Sequence, residues 1–152
     1  MILNRQRAVR VSRRPLETFL RRVLKQLGFG EASATICLVS DAEIARMNKT
    51  YRKKGGPTDV LSFAVDVGPA FRGGPSRPAP RKRKKEGEFL GDVAIAPATA
   101  RRYAKKNGRT LASELRALIL HGVLHLMGYD HETDRGQMDR VEQKLRKRFG
   151  LA

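Results

Sequence analysis

Apolar residues recur at three- and four-residue steps in three stretches of the chain, and each predicts a helix. Leu16, Phe19, Leu20, Val23, Leu24 and Leu27 share one face of a helix opened by Pro15 and closed by Gly28. Leu111, Leu115, Leu118, Ile119 and Leu126 mark a second, with Thr110 as its N-cap after the Asn107-Gly108 break. Met138, Val141 and Leu145 mark a third, from about Gln137 to Arg148. Two shorter helices follow from local signals. Ser40-Asp41-Ala42-Glu43 has the form of a capping box, with Ile44 and Met47 turned inward, and Pro97 starts a helix running to about Tyr103. Runs rich in β-branched and apolar residues predict strands at 34–39, 60–65 and 91–96, and Ile2-Leu3 begins an edge strand. Gly55-Gly56-Pro57 is a loop. Strands and helices interleave without an internal repeat. The expected fold class is therefore α+β (mixed α/β), a small mixed sheet flanked by helices, in one domain over 1–152. A chain of 152 residues is long enough to bury about two-thirds of its unfolded surface in one core.

One segment breaks the pattern. Between Gly68 and Gly87 lie Pro69, Gly73-Gly74-Pro75, Pro78 and Pro80, then Arg81-Lys82-Arg83-Lys84-Lys85. Proline, glycine and like charges oppose regular structure, so the expectation is a mobile basic loop at 68–87 between two strands. It serves either as a phosphate-contacting arm or as a solvated insertion. Across the whole chain 32 Lys+Arg face 15 Asp+Glu, a formal charge of +17. Such an excess concentrates polyanions at the surface and favours nucleic acid as a partner. A membrane is not expected: nothing approaches the roughly 20 apolar residues needed to span one. With no signal-peptide pattern either, the expected location is cytoplasmic. Cys37 is the only cysteine, which excludes an internal disulfide, and its strand setting makes it a small buried hydrophobe.

Chemistry enters with the three histidines, all in the run His121-Gly122-Val123-Leu124-His125-Leu126-Met127-Gly128-Tyr129-Asp130-His131. On a helix His121 and His125 stack on one face. Gly128 permits the left-handed turn after which His131 returns as a third ligand. Three neutral imidazoles with a fourth position open suit a catalytic Zn²⁺ or a similar divalent ion, so the metal site is expected on a helix-turn near the C-terminus. Imidazoles suit Ni, Cu and Fe as well. The spacing is also that of the metzincin peptidases, except that Gly122 stands where they carry the glutamate that serves as general base. Peptide hydrolysis by that route lacks its base, whereas a basic surface beside a water-activating metal favours a phosphodiester. Asp130 is the nearest substitute base, and serves equally well as a turn-capping or ligand-orienting carboxylate. Asp130 and Glu132 are the only nearby groups able to close the fourth position, so an open site is favoured.

Four blocks carry a resemblance. Asn48-Lys49-Thr50-Tyr51-Arg52, Pro57-Thr58-Asp59-Val60-Leu61-Ser62-Phe63, Leu90-Gly91-Asp92-Val93-Ala94-Ile95 and the histidine run are similar in order and spacing to the YbeY family, from about Asp41 to the C-terminus. The resemblance implies a single-strand-specific, metal-dependent endoribonuclease acting in ribosomal RNA maturation, at the 3′ end of the small-subunit RNA, and in ribosome quality control. It implies single-stranded and ribosomal RNA and the ribosome as partners, and a zinc ion held by His121, His125 and His131. It further implies a cleft arginine at Arg52, whose guanidinium would stabilise charge at phosphorus. The basic loop departs from the family pattern. Asp59 and Asp92 read as turn or strand-end residues and are assigned no catalytic part. Two alternatives stand beside this reading: a metallopeptidase-like hydrolase, and a non-catalytic RNA-binding assembly factor with a structural metal.

Overall fold

The computed structural model describes residues 1–30, 34–52, 58–64, 89–129 and 134–151, without the side chains of Tyr51 and Arg52. The basic stretch 68–87 falls outside them. The element order is β1 (Ile2–Asn4), α1 (Arg13–Leu27), β2 (Ala34–Leu38), α2 (Asp41–Arg52), β3 (Val60–Ala64), β4 (Gly91–Ile95), α3 (Pro97–Lys106), α4 (Leu111–Leu126) and α5 (Gln137–Arg148). The strands form one sheet in the order β1-β2-β4-β3. β1, β2 and β4 run parallel, while β3 pairs with β4 antiparallel. The mixed sheet and the edge position of β1 agree with the sequence reading.

Alternation along the strands divides the core between two faces. Ile36 and Leu38 of β2 and Val93 and Ile95 of β4 turn to one side, where they pack with the apolar stripes of α1, α4 and α5. Leu61, Ala94 and Ala96 turn to the other, which α2 covers through Ile44 and Met47. Cys37 lies half-buried on that second side. Burial, then the nearby Asp92 charge, pushes its thiol pKa up, which keeps it protonated and inert.

Helix ends follow local chemistry. Thr110 Oγ1 accepts from the Ser113 amide at 3.1 Å, and Ser40 Oγ from the Glu43 amide at 3.1 Å. The capping box at Ser40 is half-formed, since the Glu43 carboxylate pairs with Arg5 at 3.2 Å. α1 begins two residues before Pro15. Proline is tolerated there because the first four amides of a helix have no internal partner. α3 runs three residues past Tyr103: Ala104 is buried, and Lys105 and Lys106 suit the negative end of the helix dipole.

Asp41, the first residue of α2, ties that helix to α3. It accepts from Thr99 Oγ1 at 2.7 Å and from Arg102 Nη2 at 3.0 Å. Burial pushes its carboxyl pKa up, but the Thr99 and Arg102 bonds outweigh burial and hold it below the ordinary value. The folded protein therefore takes up this proton less readily than the unfolded chain. The stabilisation is complete at neutral pH and fades as pH falls below about 4. Asp41→Asn is expected to cost under about 1 kcal/mol at pH 7, as the pair is partly exposed. Urea midpoints measured down the pH scale should show the gap to wild type narrowing in acid; a pH-independent gap would rule out the charge.

Candidate metal centre

α4 carries the first two histidines on its last two turns, where its surface is half-open to solvent. His121 Nδ1–H donates to Glu142 Oε1 of α5 at 2.6 Å, and His125 Nδ1–H donates to the Tyr129 carbonyl at 2.9 Å. Both partners are oxygens that only accept once Glu142 is ionised, so each ring proton belongs on Nδ1. The remaining nitrogens, the two Nε2 atoms, then face each other 3.1 Å apart. Two ring nitrogens at that distance share either a proton, with one ring charged, or a metal ion. Zn–N bonds of 2.0–2.1 Å in a tetrahedral site place neighbouring nitrogens about 3.3 Å apart. The pair therefore fits a divalent ion in spacing, tautomer and donor type.

The turn beyond α4 is part of this arrangement. The Tyr129 amide donates to the Leu124 carbonyl and the Gly128 amide to that of His125, at 3.2 and 2.9 Å. That pattern requires the left-handed φ of 102° at Gly128. It carries the Tyr129 carbonyl back over the His125 ring. Gly128 thus ends α4 in a left-handed turn, as its place in the sequence predicts, and also sets the tautomer of a candidate ligand. His131, Asp130 and Glu132 lie outside the described residues.

Burial pushes the Glu142 carboxyl pKa up, but the hydrogen bond from His121, followed by neighbouring positive charge that includes Arg146, outweighs it and holds the group ionised. Asp59, just before β3, is pushed above its ordinary value by burial. Its own amide and that of Val60 pull it back, the Glu114 charge adds to the rise and His121 opposes it. A second carboxyl is thus within electrostatic reach of His121. Asp92 is not part of this cluster: it is exposed on β4, and alternation turns it away from α4. Arg52 is the last residue of α2, and its side chain is not described.

Gly122 explains the missing glutamate. A Cβ there would stand 2.6 Å from Val93 Cγ1, because α4 touches the sheet at this point. Ser62, paired with Val93 across β3 and β4, donates its hydroxyl to the Gly122 carbonyl at 3.2 Å. Glu142 was absent from the sequence reading, and its signal was available. Met138, Glu142 and Leu145 fall at i, i+4 and i+7, so a carboxylate interrupts the inward stripe of α5.

Known proteins resemble this chain over nearly its full length. An endoribonuclease YbeY of Solibacter usitatus is 41% identical over 147 residues, covering 96% of this chain and 86% of that protein. One of Koribacter versatilis is 37% identical over 151 residues, covering 99% and 86%. The solution structure of TM1509 from Thermotoga maritima superposes with a TM-score of 0.60 at 25% identity, covering 99% of this chain and 90% of that one. Residues 1–150 match the family described as endoribonuclease YbeY, and the chain belongs to that family.

Proposed function

We propose that this protein is a zinc-dependent endoribonuclease that hydrolyses phosphodiester bonds of single-stranded RNA. We place its work in ribosomal RNA maturation, at the 3′ end of the small-subunit RNA, and in ribosome quality control in the cytoplasm. The observation that carries the metal assignment is the pair of Nε2 atoms 3.1 Å apart, each on a ring whose Nδ1 is engaged by an oxygen. His121, His125 and His131 would hold the ion. When bound, zinc supplies Lewis acidity toward a phosphoryl oxygen or a water. Three neutral ligands leave its double charge uncompensated in the inner sphere, which suits an anionic substrate.

The rest of the chain supplies binding and charge. Arg13, Arg14 and Lys25 of α1, Arg101 and Lys105 of α3, and Lys144 and Arg148 of α5 are exposed, and their positive field attracts an RNA backbone without reading its sequence. Arg52, assigned by family resemblance, would offer a planar guanidinium to two phosphate oxygens and neutralise charge developing at phosphorus. The contact between Gly122 and Val93 weighs against a peptidase, because a base side chain has no room at that position. Among the described residues, no helix is long and apolar enough to cross a membrane.

The test is cleavage of a labelled single-stranded RNA and of its duplex, before and after chelation, with zinc restored afterwards. Cutting of the single strand alone, lost with the metal and regained with zinc, is expected. Arg52→Glu should retain zinc and lose cleavage by about a hundredfold or more, as removal of a transition-state donor does. Undiminished cleavage by metal-free protein would overturn the proposal.

A further inference from the structure

The described part of the candidate centre draws on three segments: α4, the turn after it, and α5. The third has no place in the metal motif. Glu142 lies 21 residues beyond His121, yet its Oε1 is 2.6 Å from that ring, a short charge-assisted contact. Its side chain is only 13% exposed, so the contact is sheltered from water. The helix beneath it is firmly seated. Met138 and Leu145 are buried in the main core. Asp134 holds the helix start, accepting from the Gly136 amide with Oδ1 and from the Met138 amide with Oδ2, both at 2.8 Å. A carboxylate on so fixed a support constrains whatever it binds.

From this geometry we infer that Glu142 is a positioning residue for the zinc site, acting through His121 rather than on the metal. Its oxygen meets the side of the ring away from Nε2 and so does not compete for the ion. It holds the ring proton on Nδ1, turns Nε2 toward His125 and makes His121 a more basic ligand. In water, free imidazole has no such fixed choice of tautomer or orientation. The Tyr129 carbonyl does the same for His125, but as a neutral acceptor made by the backbone. The two ligands are thus oriented by partners of different strength, and only that of His121 can be removed by mutating a side chain. The inference rests on the zinc assignment above.

The experiment compares the full-length wild type with Glu142→Ala and Glu142→Gln, without using RNA cleavage. Zinc affinity is measured by competition with a chromophoric chelator. The ring N–H protons are observed by NMR in zinc-loaded protein labelled at histidine nitrogen. Glu142→Ala should bind zinc about 10- to 100-fold more weakly, the usual effect of losing such a partner. Its His121 ring proton should leave the strongly hydrogen-bonded position and exchange with water. Glu142→Gln keeps an acceptor oxygen without the charge, so it should fall between wild type and alanine in both readouts. Wild-type affinity in Glu142→Ala, or an unmoved His121 proton, would overturn the inference and leave the zinc assignment standing. If the alanine variant does not fold, the glutamine variant decides: unchanged affinity and an unchanged resonance would overturn it equally. A wild type that takes up no zinc would remove both the zinc assignment and the inference.

Discussion

His125→Ala is expected to empty the site of zinc and to slow cleavage of single-stranded RNA by at least about a thousandfold. The size follows from the role proposed for the ion, since Lewis acidity at phosphorus contributes several kcal/mol and about 4 kcal/mol corresponds to a factor near 10³. The residue lost is one of two whose nitrogens face each other at 3.1 Å, and the two remaining histidines are one short of the three protein ligands a catalytic zinc site uses. The fold should survive. His125 is only half-buried, in the last turn of α4, and its neighbours Leu124 and Leu126 carry the packing there. Metal content, circular dichroism and single-turnover cleavage on the same sample separate these effects. Zinc lost with cleavage at the wild-type rate would mean that the metal is not catalytic.

Much of this architecture is legible in the chain because it is written in local periodicity. The leucine stripe of α4, the Thr110 cap, the Gly128 turn and the pairing of His121 with His125 all depend on residues within one or two turns of each other. The mixed α+β class follows from the same patterns, but the sheet order does not, because β4 pairs with β2 across the intervening α2 and β3. What escapes is what distant segments do to one another. Ser62 reads as one polar residue in an apolar strand, and only its bond to the Gly122 carbonyl, 60 residues away, gives it a purpose. The place of Glu142 on the inward stripe of α5 marks it as unusual, but only the packing of α5 against α4 shows that His121 is its partner. Asn48, by contrast, is buried four residues after Ile44, on the inward face that the helical period of α2 assigns to it. His131, Arg52 and the basic stretch 68–87 belong to the functional reading through the sequence alone.

Gly122→Glu, the substitution that would give this chain the peptidase motif, is expected to destabilise the fold by several kcal/mol and to confer no peptidase activity. Residue 122 stands about 100° around the helix from His121 and faces the sheet. A side chain there meets Val93 Cγ1 at 2.6 Å and Cγ2 at 2.9 Å, and a carboxylate would also be buried without a partner. Of a total stability of about 5–15 kcal/mol, that loss leaves little. The cause is isolated by a milder cycle. Gly122→Ala costs roughly 1–3 kcal/mol in overpacking, offset by about 1 kcal/mol of helix propensity. Val93→Ala opens a cavity and costs about 2 kcal/mol. Together they should be more stable than the sum of the single changes by about 1–3 kcal/mol, because the methyl added to the helix fills the space the strand gives up. Urea midpoints of the four proteins measure that coupling. Additive losses would mean that the helix is not held at this distance by residue 122. Coupled losses, with weaker zinc binding in Gly122→Ala alone, would show that the close seating of α4 on Val93 is also what keeps His121 in register with Glu142.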